Sequence, residues 1–123
     1  MRTAFVALAG AAGALSRYGI GLAVGVRSFP WATLGINRIG SFLLGVVLTL
    51  GVERSWSANV TVPLAVGFLG AFTTFSTFSW ETYTLLRTER AVLAAAYVSA
   101  SFALGVAGAA LGYLTARLVG GRG

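Results

Sequence analysis

The chain has 123 residues, of which 57% are hydrophobic and 10% are charged, and nine basic against three acidic residues give a net charge of +6. This composition excludes a soluble globular protein and predicts one domain, residues 1–123, with four membrane-spanning helices in the cell (plasma) membrane. Because Cys and His are both absent, disulfides, thiol chemistry, haem and nearly all zinc chemistry are excluded, and an enzyme is not expected.

The basic residues are all arginine, and several flank predicted spans, which is typical of anchoring to lipid headgroups rather than of nucleic-acid binding. Four helices place both termini on the same side of the membrane. The arginines on that side are Arg2, Arg54, Arg117 and Arg122, and those on the other side are Arg27, Arg87 and Arg90. Because this distribution is nearly even, the positive-inside rule predicts almost no preference for one orientation in the membrane. The chain is therefore predicted to insert in both orientations and to form an antiparallel dimer.

The first helix is predicted over about residues 3–26 and is interpreted as a retained span rather than a signal peptide, since no soluble domain follows it. Gly21 and Gly25 lie four residues apart, a spacing that lets another helix approach closely. Arg17 lies near the middle of this span, where a charge costs about 3 kcal/mol on insertion scales. Arg17 must therefore reach water, a carbonyl or a carboxylate in a functional or architectural role, unless it simply snorkels to the headgroups.

The second helix is predicted over about residues 31–52, with Trp31 at the membrane interface. One polar line with a four-residue spacing runs along it, formed by Thr33, Asn37 and Ser41. A buried amide needs hydrogen-bond partners, so Asn37 either lines a pore or an interface or acts as a strut between helices. Arg38 points about 100° away from Asn37. Because Arg38 lies early in the helix, we expect it to snorkel to the headgroups, unless it reaches the vestibule.

The third span is predicted over about residues 60–86, where a continuous helix would be roughly 40 Å long against a hydrocarbon core of about 30 Å. Asn59 or Thr61 is expected to cap its start. Gly67 and Gly70 loosen its first half. Hydroxyl side chains that could pair with backbone groups at a break follow, namely Thr73, Thr74, Ser76, Thr77 and Ser79. We therefore predict that this span is broken near its middle and faces a pathway or a partner.

The second half of this span contains the side chains that could bind a ligand. On a helix, Phe75 and Phe78 share one face, and Ser76 and Ser79 line a neighbouring strip. Aromatic ring edges are positive, and hydroxyl and amide groups donate hydrogen bonds without a fixed negative charge. The set suits a small anion that accepts strong hydrogen bonds, although a packed core would give the same Phe spacing. Glu81 is the one carboxylate expected inside the membrane boundary, unless it caps a helix near the interface.

The fourth helix is predicted over about residues 91–119. Tyr97 and Ser101 lie four residues apart and share a face of this helix. Gly108 and Gly112 form a pair that permits close packing against a neighbouring helix.

Three stretches of this chain resemble the Fluc/CrcB family of fluoride channels. Residues 67–81, GFLGAFTTFSTFSWE, are similar to the family signature GFxGGxTTFSTFSxE. Residues 10–18, GAAGALSRY, and residues 33–42, TLGINRIGSF, resemble the family motifs of helix one and helix two. The resemblance covers nearly the whole chain, and the TTFSTFS run makes it specific.

The resemblance implies a dual-topology, antiparallel dimer with two narrow pores that pass fluoride passively and exclude chloride. Gly70 and Thr73 would offer backbone carbonyls to a structural sodium ion on the dimer axis, and Arg17 and Glu81 would belong to the vestibule and the architecture. The implied fluoride path consists of Asn37, Phe75, Phe78, Thr77, Ser79, Tyr97 and Ser101.

The sequence departs from the family pattern at three positions. Ala71 stands where a second glycine is usual, beside the implied sodium site. Arg38 stands where the family has an apolar residue, and Gly105 where a second serine can occur. Because some members work as pairs of unlike subunits, the chain is predicted to form either a homodimer or a heterodimer with a related subunit.

Two other functions compete with this interpretation. A small multidrug-resistance-like exporter is also a four-helix, dual-topology dimer, but its mechanism needs a membrane-embedded Glu in helix one, where this chain has Arg17. A structural subunit would need only the glycines and would leave Asn37 and the Phe pair unexplained. We predict passive fluoride conduction, because the donors lack the titrating partner that a proton-coupled pump needs.

Overall fold

A computed structural model describes residues 1–121 of the chain as a bundle of helices. Four segments in this part are long and apolar enough to cross a membrane, which confirms the predicted all-α fold of a multi-pass membrane protein. The elements are α1 (Arg2–Val24), α2 (Trp31–Glu53), α3 (Ala58–Val62), a π-helical segment (Pro63–Leu69), α4 (Gly70–Phe72), α5 (Phe75–Arg87) and α6 (Ala91–Gly120). Arg122, which the arginine distribution included, lies outside the described residues.

Local chemistry explains where these helices begin and end. Gly25 stops α1 with φ of 73°, a left-handed conformation that favours glycine. At the start of α3, the Ser57 hydroxyl accepts a hydrogen bond from the Asn59 N–H at 3.1 Å. The expectation that Asn59 or Thr61 caps this helix is therefore wrong, because the cap lies at the residue before Ala58.

The third span, Ala58–Arg87, is broken at Thr73 and Thr74, which confirms the predicted break. Both residues are extended, with ψ of 156° at Thr73 and φ of −149° at Thr74. Their hydroxyls pair with the backbone around the break: Thr73 Oγ1 donates to the Leu69 carbonyl at 2.8 Å, and Thr74 Oγ1 accepts from the Thr77 N–H at 3.1 Å. Side chains thus replace part of the helical hydrogen bonding that the break removes, as apolar surroundings require.

Glycines set the distances between the helices. A Cβ added at Gly108 or Gly112 of α6 would meet the backbone carbonyl of Arg38 or Phe42 on α2, which confirms the predicted close-packing pair. The other predicted pair differs, because Gly21 and Gly25 have no heavy atom within 4 Å of an added Cβ within the described chain. The α2 and α6 backbones are therefore in direct contact, whereas the C-terminal end of α1 is open at these glycines.

This contact gives a test of the helix packing. We expect Gly112→Leu to lower the free energy of unfolding by about 1–3 kcal/mol, because the side chain must push α2 and α6 apart. Gly21→Leu adds the same side chain at an open position and should leave stability unchanged. Thermal unfolding of the two purified proteins in detergent measures the difference, and equal transition temperatures would contradict the close approach.

Two buried clusters fix the broken span inside the bundle. Ile36 packs with Leu69 and Phe72, on the first-half side of the break. The second cluster lies on the other side and consists of Leu34, Phe78, Leu85, Ala94 and Tyr97. The break is thus held between two apolar contacts, and the polar residues around it face a cavity.

Candidate functional site

A cavity of about 310 Å³ lies between α2, the broken third span and α6. It brings together predicted site residues that are up to 64 positions apart in the sequence, because three different helices contribute to it. Those among its lining residues are Asn37, Gly70, Thr73, Phe75, Phe78 and Ser101. Gly105 also lines it, so the glycine that departs from the family pattern leaves space one turn beyond Ser101.

Asn37 holds the break in place. Its Nδ2 donates to the Thr74 carbonyl at 3.1 Å, and its Oδ1 accepts from the Thr74 N–H at 2.9 Å. Gly40, one turn further along α2, faces the Thr73 side chain and allows this approach. Asn37 therefore acts as a strut between α2 and the third span, which is one of the two roles predicted for it. The Asn37 amide has two N–H donors and only one bonds to Thr74, so the other can donate a hydrogen bond into the cavity.

The clamp on Thr74 also leaves backbone carbonyls at the end of α4 without their usual helical donors. In a continuous helix the Thr74 N–H would bond to the Gly70 carbonyl, but here it bonds to Asn37. The next carbonyl, of Ala71, accepts from Arg17 Nε at 3.2 Å. Arg17 therefore donates a hydrogen bond to a carbonyl, which is one of the three kinds of partner expected for a charge in the middle of α1.

The two phenylalanines differ in their surroundings. The Phe78 side chain is 9% exposed, and its ring centroid lies 5.1 Å from that of Tyr97 and 6.2 Å from that of Phe102. The Phe75 ring lies 5.9 Å from the Phe78 ring but is 74% exposed. Phe78 is therefore fixed by its neighbours, whereas Phe75 presents an uncovered ring beside the cavity.

A second group of polar side chains lies nearer to the α1–α2 loop. Thr33 Oγ1 donates to Glu81 Oε1 at 2.5 Å, and both residues line a second cavity of about 360 Å³. Glu81 sits inside α5, so its alternative interpretation as a helix cap is wrong. Sequence reasoning missed this pair, although Thr33 is the first member of the polar line on α2.

Tyr97 and Ser101 carry hydroxyl groups without partners. Tyr97 is fully buried, and neither its hydroxyl nor that of Ser101 makes a hydrogen bond among the described residues. Burying an unpaired hydroxyl is costly, so these two groups are available to a ligand that accepts hydrogen bonds. Tyr97 contacts Phe78, which borders the first cavity, and packs in one cluster with Leu85, which borders the second.

The structure does not bring Thr77 and Ser79 to the first cavity. The Thr77 N–H is engaged by the Thr74 hydroxyl, and Ser79 is exposed on another side of α5. Ser79 points to the surface of the single chain, whereas Thr77 is partly buried. The predicted part of Ser79 in an ion path therefore depends on what covers that surface.

The described part of the chain has four segments long and apolar enough to span a membrane, and the break in the third lines a polar and aromatic cavity. These features define a multi-pass membrane protein of the kind that moves small solutes. The sequence profile of the family described as "CrcB-like protein, Camphor Resistance (CrcB)" matches residues 4–113. The chain belongs to this family.

Relatives agree over nearly the full length. A protein of Thermus thermophilus is 46% identical over 97% of this chain and 98% of its own length. One of Magnetococcus marinus is 44% identical over 97% of this chain and 100% of its own length, and one of Geobacter sulfurreducens is 41% identical over 91% and 94%. All three are named fluoride-specific ion channel FluC.

Proposed function

We propose that this chain is a fluoride-selective ion channel that lets fluoride leave the cell passively across the plasma membrane. The relatives named above are fluoride-specific channels, and they match this chain from end to end. The observation in the structure that carries the proposal is the first cavity, where Asn37 and Ser101 lie beside the two phenylalanines. Its lining among the described residues has hydrogen-bond donors and ring edges but no charged side chain.

This lining suits fluoride for a physical reason. Fluoride holds its water strongly, so a pore must offer strong hydrogen-bond donors in place of that water. The free Nδ2 hydrogen of Asn37 and the unpaired Ser101 hydroxyl are such donors, and the edges of the Phe75 and Phe78 rings are positive. The absence of a basic side chain from this lining keeps the anion from binding too tightly to leave.

The path continues past Phe78 toward Tyr97, whose ring centroid lies 5.1 Å from that of Phe78. The Tyr97 hydroxyl makes no hydrogen bond within residues 1–121 and would donate to an ion that leaves the first cavity. Beyond it, Thr33 and Glu81 line the second cavity at the end of the bundle where α2 begins. At one end of the site Glu81 accepts a hydrogen bond from Thr33. At the other end Arg17 donates a hydrogen bond to the Ala71 carbonyl.

The proposal includes a second copy in an antiparallel arrangement. Phe75 is part of the cavity wall yet 74% exposed, and the rest of the exposed aromatic surface of α5 comprises Trp80 and Tyr83. A second copy that covers this surface would close the cavity and would bring Ser79, which shares a face of α5 with Phe75, to its wall. The even distribution of arginines between the two sides supports opposite insertion of the two copies.

The break at Thr73 also fits a structural sodium ion. The Gly70 carbonyl lacks its helical donor, and the C-terminal end of a helix favours a cation. Carbonyl oxygens are ligands that hard cations accept. Gly70 and Thr73 of each copy would hold the ion, which would tie the two breaks together.

Fluoride efflux from liposomes tests the proposal. Liposomes that contain the purified chain should release fluoride at least about 100-fold faster than chloride, because the donors fit only the smaller anion. A fluoride-selective electrode and a chloride electrode measure the two rates in matched samples, with protein-free liposomes as the control. Equal rates would contradict fluoride selectivity. A chain that is silent alone but conducts with a related subunit would replace the homodimer by a heterodimer.

A further inference from the structure

Two arginines lie well inside the spans, and their surroundings differ. Arg17 on α1 is half-buried and bonds to the Ala71 carbonyl. Arg38 on α2 is exposed and makes no hydrogen bond or ion pair within residues 1–121. An unpaired charge at this depth is costly, so Arg38 requires a partner from outside the described chain.

None of the three glutamates forms an ion pair with Arg38 in the described structure. Glu53 lies at the opposite end of α2 and pairs with Arg117 at 2.7 Å. Glu81 accepts the hydrogen bond of Thr33, and Glu89 lies in the turn before α6 without an ion pair in the described structure. Because no carboxylate of the same chain pairs with Arg38, its partner comes from the membrane surface, the solvent or a second copy.

The depth of Arg38 points to the membrane surface. Trp31, at the start of α2, is 59% exposed and packs against Phe29 with ring centroids 4.6 Å apart, as aromatic residues at a membrane interface do. Arg38 lies two turns further, about 10 Å along the helix. Helical side chains tilt toward the N-terminus, so the guanidinium is directed back toward the level of Trp31.

The surface between these two residues is open. Gly35 lies between Trp31 and Arg38 on the same face of α2, and no heavy atom of residues 1–121 lies within 4 Å of a Cβ added there. We call Trp31, Gly35 and Arg38 the α2 strip. Along this strip no side chain of the described chain lies between the Arg38 guanidinium and the membrane interface, and there is room for a ligand beside the guanidinium.

We propose that the α2 strip binds the phosphate headgroup of a membrane phospholipid. A guanidinium matches the geometry of a phosphate and can donate two hydrogen bonds to it. A lipid fits better than free phosphate, because Ile39, one turn beyond Gly35, is 51% exposed. Its side chain offers an acyl chain an apolar surface beside the α2 strip.

Native mass spectrometry of the purified full chain with added phosphatidylglycerol tests the proposal. Arg38→Leu should weaken lipid retention about tenfold, since hydrogen bonds to a charged group are lost, and Arg38→Lys should retain more lipid than Arg38→Leu. Gly35→Leu keeps every charge but fills the strip, so it should also weaken retention. Gly21→Leu adds the same side chain at another open glycine and should retain lipid as the unchanged protein does.

Three results would overturn the proposal. Equal lipid retention in Arg38→Leu and the unchanged protein would show that Arg38 holds no headgroup. Displacement of the lipid by millimolar inorganic phosphate would assign the site to a free anion. Dissociation of an oligomer in Arg38→Leu with unchanged lipid would place Arg38 against a second copy. Fluoride efflux is measured separately on each variant, so failure of conduction and failure of lipid binding are distinguishable.

Discussion

Asn37→Leu is expected to abolish fluoride flux and to lower the free energy of unfolding by about 2–6 kcal/mol. The substitution removes both hydrogen bonds that hold Thr74, and it leaves the Thr74 N–H and carbonyl without partners in apolar surroundings. Because the break then loses its support, the cavity loses its shape as well as one of its donors. Fluoride efflux from liposomes and thermal unfolding in detergent measure the two effects.

Two further variants separate the roles of Asn37. Asn37→Asp keeps an oxygen that can accept from the Thr74 N–H but adds negative charge to the anion path, so it should block flux while losing less stability than Asn37→Leu. Asn59→Leu changes the same residue type at an exposed position, where Asn59 only accepts from Arg2, and should leave flux unchanged. Wild-type stability in Asn37→Leu would show that the clamp contributes nothing to the fold.

Phe75→Ile and Phe78→Ile are each expected to slow fluoride efflux about tenfold or more, because losing about 1.4 kcal/mol of stabilisation at the highest barrier lowers a rate tenfold. The two variants should differ in stability. Phe78 is buried against Tyr97 and Phe102, so its replacement should also lower the unfolding temperature, whereas the ring of Phe75 is 74% exposed in the single chain.

Phe5→Ile is the matched control for the phenylalanines, since Phe5 lies on α1, does not line either cavity and is 40% exposed. It should conduct as the unchanged protein does. Size-exclusion chromatography shows whether each variant keeps the oligomeric state of the unchanged protein, so that a slower flux reports the path rather than the assembly. Unchanged flux in both cavity variants would remove the rings from the ion path.

The helices and the break were predictable from the sequence because their causes are local. Apolar length determines the four spans, and the run of hydroxyls after Gly70 supplies the side chains that a break needs. The close-packing role of Gly108 and Gly112 was also predictable from their spacing on one helix face. Gly21 and Gly25 have the same kind of spacing but no contact within the described chain, because spacing shows that a helix can approach but not that one does.

Six predicted residues line the first cavity, whereas Thr77, Ser79 and Tyr97 do not, and the hydrogen bonds between the helices were not predicted. Asn37 and Thr74, like Thr33 and Glu81, are bonded across more than 30 positions of sequence, and Arg17 reaches Ala71 over 54. Periodicity places a side chain on a face of its own helix, whereas a hydrogen bond between helices depends on their rotation and depth. The structure alone therefore decided that Asn37 clamps the break and that the side chain of Arg38, one residue later, is exposed on the surface of the chain.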